Sequence, residues 1–428
     1  MDMAPFSSLY AATADPTLAF PPLDGRAKTH VAIIGGGYTG LSAALHLAEA
    51  GIDVALIEAK RIGWGASGRN GGQLHSGQRR DQDWLEHRLG VDDAHRLWDL
   101  AEEAKALVKG LIARHQIACE WRAGLIETTH KRRLVPHEKA YVEKLRRDYG
   151  YAAVEWIGRD ALAAAIGTNA YFGGRRDAGA GHLHPLKFAQ GLARAAAKAG
   201  ARIHEETAAT AVTGSARSGF RIACGAHGEV AAEIVIIAGD AYLDGIDADI
   251  EARLMTIDNY ILATEPIGAG KPGGVIPGGE AVSDTRFVVY YFRPSLDGRL
   301  LFGGGETYSR REPADVAGFV RRHLAKLYPQ LVGVRIDNAW GGAVAITLSR
   351  LPLIRRLRPG VYVAGGYSGQ GVALAPFAGK VIADAVRGDP SRLDRFAALP
   401  APHFPGGTRL RRAALVAGML WYALRDRL

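Results

Sequence analysis

The sequence predicts an α/β fold: a parallel sheet of Rossmann-like topology carrying an inserted α+β unit built on an antiparallel sheet. Three observations predict it. Residues 29–60 run from an apolar strand through Gly35-x-Gly37-x-x-Gly40 into a helical pattern and then a second apolar strand. Two further all-apolar runs, 234–238 before Gly239 and 360–365, read as buried parallel strands. Between them, 260–265, 286–293 and 299–302 have the character of antiparallel strands, the last two joined by turn chemistry at 294–298.

Each element has a local reason. Residues 31–34 are β-branched and apolar, while Leu41, Ala44, Leu45 and Ala48 form one helical face and Gly51 stands as its C-cap. Residues 54–57 are apolar and end on Glu58. This pattern suits a dinucleotide. Gly35 permits the tight turn, Gly37 lets a pyrophosphate reach the backbone, and Gly40 lets helix and strand pack closely. The helix N-terminus offers unpaired N–H groups to phosphate, and Glu58 is placed to accept from ribose hydroxyls. Tyr38, Thr39, Ala59 and Arg61 flank these positions and are candidates for the same site.

In residues 61–73 glycine argues against any regular element and suits a chain running along an extended ligand. Residues 92–115 read as an amphipathic helix, 119–129 as a strand pair and 137–149 as a helix. A helical stripe follows Pro185, is capped by Gly200, and leads into a strand at 201–203. The strand 360–365 enters a second glycine loop, 366–371, and a helix through Ala385. No internal repeat is present.

A chain of 428 residues can form two or three lobes. Hydrophobic content of 48% with 23% charged residues is that of an ordinary globular protein. The 53 Lys+Arg against 44 Asp+Glu give +9, but the basic clusters at 131–133, 355–358 and 409–412 are short and scattered. That argues against nucleic acid, which wants a continuous stripe, and leaves steering of anionic substrates. Cys119 and Cys224 form no CxxC pair, so no disulfide framework, redox pair or metal site is expected. Residues 1–20 lack a basic, apolar leader pattern, so the expected location is cytoplasmic. The apolar run 413–424 between arginines is too short to span a bilayer; a docked terminal helix is expected, with a membrane contact as the alternative.

Five segments carry a resemblance to a known family: IGWGASGRNGGQ (62–73), GHLHPLKFAQGLARAA (181–196), YILATEP (260–266), DGRLLFGG (297–304) and GGYSGQGVALAPFAGKVIADA (365–385). From His30 to about Ala398 the chain resembles the D-amino-acid-oxidase-like flavoproteins, most of all the γ-glutamylputrescine oxidase branch. The resemblance implies an FAD-binding domain of glutathione-reductase-type topology from 27–78, 179–250 and 336–398. It implies a substrate-binding domain from 79–178 and 251–335, and leaves 399–428 as a tail. The single strand–glycine–helix unit and the two extra glycine loops agree with one long flavin cofactor rather than a second nicotinamide site.

By resemblance, Gly35, Gly37 and Gly40 hold the pyrophosphate and Glu58 the ribose. Gly65, Ser67, Arg69, Asn70, Gly71 and Gln73 line the path towards the ring. Ala209 meets the adenine by its backbone, and Gly239 and Gly365 close the strand ends. Ser368, Gly369, Gln370, Gly371 and Val372 lie along the isoalloxazine. Relatives that attach flavin covalently use a cysteine after the final inserted strands. Residues 340–346 contain none, so the FAD is expected to be non-covalent.

The expected reaction is oxidation of an amine or secondary amino acid, γ-glutamylputrescine-like or related, by hydride transfer to flavin N5. The imine then hydrolyses to aldehyde and ammonia, and O2 is reduced to H2O2. Candidate catalytic residues are His75, Tyr260, Tyr291, Arg293 and Trp340. The aromatics would exclude water while admitting a cation, His75 titrates in the working pH range, and Arg293 could pair with a substrate carboxylate. Strand alternation puts Tyr291 and Arg293 on one face and Tyr290 on the other. His182 and His184 are expected to be structural or to flank the site's mouth. Leu301 stands where fast oxygen-reacting relatives carry lysine. Two alternatives remain open: a dehydrogenase passing electrons to a quinone or carrier, and a flavoprotein that oxidises no amine, such as an RNA-modifying enzyme.

Overall fold

The computed structural model describes residues 8–243, 245–307 and 311–405. The run 413–424 lies outside them. Two sheets organise the chain. In the first, Leu353–Arg358, Val361–Gly365, Gly228–Ile237, Gly25–Ile34, Val54–Ile57 and Arg202–His204 lie side by side in that order. Gly25–Ile34 pairs in parallel with both Gly228–Ile237 and Val54–Ile57, which places the glycine turn at the centre of the sheet's C-terminal edge. In doubly wound sheets that edge is where ligands bind.

Glycine also lets the layers close. A Cβ on Gly379 would lie 2.3 Å from the Thr39 carbonyl oxygen, so only glycine lets the helices Tyr38–Glu49 and Gly371–Val386 touch. The Ser42 hydroxyl donates to the Pro376 carbonyl at 2.6 Å across this contact. With Pro185–Lys198 and Val91–Arg114, these helices cover one face of the sheet, and Leu41, Leu45, Phe188, Leu192 and Phe377 fill the space between. Each fully buried leucine or phenylalanine there contributes roughly 1.5–3 kcal/mol.

The second sheet runs Ile336–Ile346, Met255–Thr264, Leu300–Thr307, Tyr291–Pro294, Ala281–Asp284, Arg122–Thr128, Gly174–His182 and Gln73–Leu74. It is antiparallel except where Ala281–Asp284 pairs in parallel with Arg122–Thr128. Ile336–Ile346 is hydrogen-bonded along its length to Met255–Thr264, so this strand belongs to the second sheet. The helix Val316–Leu327 packs beneath it.

Four local expectations change. The strand pair at 119–129 is one strand, Arg122–Thr128, whose partners are distant in sequence; positive φ at Glu120 and Gly124 diverts the chain before a hairpin can form. The strand expected at 286–293 is only Tyr291–Pro294. The Asp284 carboxylate accepts the N–H groups of Arg286 and Tyr290, each at 3.1 Å, and folds the intervening residues into a loop. The loop 61–73 contains a 3-10 turn at Ala66–Gly68 and ends in the short strand Gln73–Leu74. Leu353–Arg358 escapes the sequence because its alternating arginines hide the strand's apolar face.

Candidate functional site

The glycine turn is a cradle with no room for side chains. Gly35 has φ +112°, and a Cβ there would lie 2.8 Å from the Ala238 carbonyl oxygen. On Gly40 it would meet the Gly35 carbonyl at 2.0 Å, and on Gly37 the Ser67 hydroxyl at 2.9 Å. Gly37 caps Tyr38–Glu49 without a side-chain bond. Ser67 Oγ accepts the Tyr38 N–H at 2.9 Å, and the first intrahelical bond runs from Leu41 N–H to the Gly37 carbonyl. The N–H groups of Thr39 and Gly40 therefore point from the helix end with no protein acceptor among the described residues. An anion fits there.

Glu58 follows strand Val54–Ile57 and is already engaged. Oε2 accepts the Gly36 N–H at 2.6 Å and Oε1 the Lys60 N–H at 2.9 Å. Burial raises its pKa, with those two N–H groups opposing the rise. Each oxygen retains a lone pair for a ribose hydroxyl. Arg61 sits outside the cradle, pairing with Glu205 at 2.9 Å and donating to the Leu18 carbonyl at 2.6 Å. Ala59 is exposed, and Ala209 is half-buried against the sheet's second face. The Thr39 hydroxyl and the Tyr38 phenol are taken up by Tyr367 and the Pro185 carbonyl, leaving these residues only backbone roles.

From this cradle the loop 61–73 leads to a deep cavity between the sheets. Arg69, Asn70, Gly71 and Gln73 line it on one side, and Ser368, Gly369, Gln370 and Val372 on another. Arg69 stacks over Trp64 at 4.5 Å and donates to the Trp64 and Gly341 carbonyls. Asn70 bonds back to the Ala66 and Ser67 carbonyls and accepts from Gly72 N–H, so it fixes the loop's shape. Gly65 packs on Tyr242 and Gly239 on Leu243. Gly366 N–H is held by Asp240, which also lies against Gly365. The helix Gly371–Val386 begins at Gln370 with no side-chain cap, so a second helix N-terminus opens where Gln370 and Val372 line the cavity.

The five catalytic candidates divide. His75 and Tyr291 line the cavity. Tyr260, Arg293 and Trp340 do not. Tyr260 is 2% exposed, packs edge-on against Phe319 and bonds Thr307 at 2.8 Å. Trp340 donates from Nε1 to the Arg69 carbonyl at 2.9 Å, holding the loop from behind. Arg293 is 3% exposed; its guanidinium donates to the Gly71 and Pro294 carbonyls and to Tyr10 Oη at 3.1 Å, leaving it occupied by protein groups. The expected alternation does hold. Gly71 packs on Tyr291 and Gly72 on Arg293, while Tyr290 turns away to His323.

Sequence reasoning missed Asn259, Glu306, Glu127, Asp284 and Arg79, all of which line the cavity. Glu127 was findable: it is the acid alternating with Ile126 on Arg122–Thr128. Asn259, Asp284 and Glu306 sit on strands whose parity could not say which face meets the opening, and Arg79 sits in a bend before a helix. Burial works against the Glu127 charge, but the Arg175 guanidinium at 2.7 Å outweighs it and holds the carboxyl below its usual range. Burial raises Asp284 to about 6 against the pull of Arg286. Burial likewise lowers His75, which keeps its imidazole neutral. His182 and His184 fall to about 3 through burial and the nearby Arg293; His184 caps Pro185–Lys198, so its role is structural.

Comparison with known proteins agrees with this architecture. The family description "FAD dependent oxidoreductase" matches residues 30–385. The chain is 44% identical to a probable oxidoreductase, OrdL, of Rhizobium meliloti, covering 99% of this chain and 98% of that one. It is 40% identical to the gamma-glutamylputrescine oxidoreductase of Escherichia coli, over 99% and 98% respectively. Among solved structures, glycine oxidase from Geobacillus kaustophilus superposes with a TM-score of 0.71 at 24% identity, covering 84% of this chain and 95% of that one. L-proline dehydrogenase from P. horikoshii gives 0.70 at 21%, over 86% and 99%. No helix among the described residues is long and apolar enough to cross a membrane. The chain belongs to the family of FAD-dependent oxidoreductases.

Proposed function

We propose that this protein oxidises a primary amine or amino-acid-like amine, of the γ-glutamylated diamine type, with FAD held non-covalently. The observation that carries the reading is the pair of helix N-termini, one at the glycine cradle and one at the cavity, joined by a loop whose Gly63, Gly65, Gly68, Gly71 and Gly72 leave no room for a Cβ. A long anionic cofactor with a flat ring fits that path. Bound there, FAD supplies the acceptor for a hydride equivalent from the substrate carbon bearing nitrogen.

The chain's own residues do the rest. The Thr39 and Gly40 N–H groups would hold the pyrophosphate and Glu58 the ribose, and the N-terminus of Gly371–Val386 would favour negative charge on a ring bound in the cavity. Ile257, Ile261, Val344, Ile346 and Tyr291 wall the cavity with apolar surface. That surface excludes water and lowers the ammonium pKa, so that the amine reacts uncharged. His75 lines the cavity as a neutral imidazole, because burial disfavours its charged form, and so adds no positive charge against the arriving ammonium. Both cysteines are buried and neither lines the cavity, which supports a non-covalent cofactor. We assign the cofactor domain to the first sheet and the substrate domain to the second, a reading that moves Gln73–Leu74 and Ile336–Ile346 to the latter.

Dioxygen is the proposed acceptor. A dehydrogenase using a quinone or carrier is the second reading, favoured by Leu301, which is buried among Ile261 and Trp340 and puts no cation on that strand. Turnover in air with the best amine separates the two. Hydrogen peroxide formed in step with ammonia supports the oxidase, and turnover only with added quinone supports the dehydrogenase.

A further inference from the structure

A second, more polar cavity adjoins the first. The two share His75, Arg79, Glu127, Asp284 and Gln370 as common walls, so they form one continuous space with a more apolar part and a charged part. Most charged groups of the second cavity are already engaged. Arg175 pairs with Glu127 at 2.7 Å and Glu138 at 2.9 Å. Arg286 pairs with Asp284. Asp177 is held by Ser76 and Tyr151. Asp81 caps its own helix through Trp84 N–H.

Arg79 is the exception. It is exposed, stands at the junction of the two cavities, and has no hydrogen-bond or ion-pair partner among the described residues. Glu127 feels its charge, but Arg175 already pairs with that carboxylate directly. An unmatched guanidinium beside a cavity offers a planar fork of donors that suits a carboxylate. Of the other arginines on the first cavity, Arg69 stacks on Trp64 and donates to the Trp64 and Gly341 carbonyls, and Arg350 lies over the Phe287 ring; Arg293, behind the wall, is buried and spent on Gly71, Pro294 and Tyr10.

Resting on the amine-oxidase reading above, we infer that the substrate is a two-ended molecule: its amine reacts in the apolar cavity while a carboxylate at its far end is gripped by Arg79 at the junction. The substrate class is an amine with a distal carboxylate. Arg79 sets specificity and takes no part in the oxidation itself. Its loss therefore weakens binding of the carboxylated amine without slowing the reaction at saturation.

The test is anaerobic reduction of the bound flavin by ω-amino carboxylates of increasing chain length, each beside the n-alkylamine of equal length, in wild type and in Arg79→Ala and Arg79→Lys. A second readout is calorimetric binding of 4-amino-4-methylpentanoate and of 2-methylbutan-2-amine, neither of which has a hydrogen on the carbon bearing nitrogen. The expected result is a roughly ten- to hundred-fold higher half-saturation concentration for the carboxylated amine in Arg79→Ala. The limiting rate and the response to alkylamine stay unchanged, and Arg79→Lys restores part of the loss. The calorimetric preference for the carboxylate should fall with it. Equal behaviour of wild type and Arg79→Ala, or equal losses for both amines, overturns the role of Arg79. Failure of any amine to reduce the wild-type flavin instead overturns the amine reading, and this inference with it.

Discussion

Arg293 Nε donates to the Gly71 carbonyl at 2.8 Å. A Cβ on neighbouring Gly72 would lie 3.2 Å from the same guanidinium. The residue expected to recognise substrate instead fixes the loop that shapes the cavity. Arg293→Gln should therefore strand a buried carbonyl and the Tyr10 hydroxyl, costing roughly 1–3 kcal/mol. Thermal denaturation should show the loss, and FAD affinity should fall. Carboxylated and uncarboxylated amines should be affected alike. A defect confined to carboxylated amines would return Arg293 to substrate recognition.

Gly37→Ala is the sharpest probe of the cradle. The backbone there, φ −85°, accepts alanine without strain, so the fold should survive. The new methyl would lie 2.9 Å from Ser67 Oγ, the group that accepts the Tyr38 N–H, and so crowds the start of the helix. Purified variant protein should show a normal circular-dichroism spectrum and greatly reduced FAD content. Full FAD occupancy would place the pyrophosphate elsewhere.

Tyr291 and its neighbour Tyr290 face opposite ways. The Tyr291 hydroxyl donates to Asn259 inside the cavity, whereas the Tyr290 hydroxyl bonds His323 Nδ1 at 2.7 Å beneath the sheet. Losing one cavity hydrogen bond of about 1 kcal/mol corresponds to a rate change of about five-fold. Stopped-flow reduction should be slowed by that order in Tyr291→Phe and left unchanged in Tyr290→Phe. The reverse pattern would move the reacting centre to the other face.

Asp240 gives a pH signature. Burial raises its carboxyl to about 6, against 3.8 when unfolded, and the Gly366 N–H opposes the rise. Because the folded pKa is the higher one, ionisation destabilises the native state. That cost is absent below pH 3.8 and complete above about 6. Asp240→Asn, which keeps an acceptor for Gly366, should stabilise the protein by roughly 1–3 kcal/mol above pH 6. The gain should vanish towards pH 4. Melting curves of both proteins across that range check it, and a gain independent of pH would assign the effect to packing.

The glycine turn and its strand–helix–strand setting were legible because their signals are local. Gly35, Gly37, Gly40 and Glu58 lie within one strand–helix–strand unit, where spacing and residue type dictate geometry. Strand parity also read correctly, since Tyr291 and Arg293 do share a face. What parity cannot supply is the partner across the gap. Arg293 meets Gly71 and Tyr10, and Trp340 meets the Arg69 carbonyl, through contacts spanning more of the chain than any local pattern reaches. Tyr260 looked like a pocket aromatic because its strand, Met255–Thr264, does reach the cavity, but through Ile257, Asn259 and Ile261 on the alternate positions. Arg79 was overlooked because two arginines before a helix, Arg79 and Arg80, carry no pattern. Only the absence of a partner, visible in three dimensions, distinguishes it.

The central claim is that an amine delivers electrons to FAD in the cavity between the two sheets. Anaerobic titration of the purified holoprotein with a panel of amines and amino acids, following the flavin absorbance, tests it most directly. The account predicts full bleaching by at least one amine, to an end point set by one substrate per FAD, and the same amine failing to bleach once Tyr291→Trp fills the cavity. A flavin that dithionite reduces but no amine on the panel bleaches would contradict it.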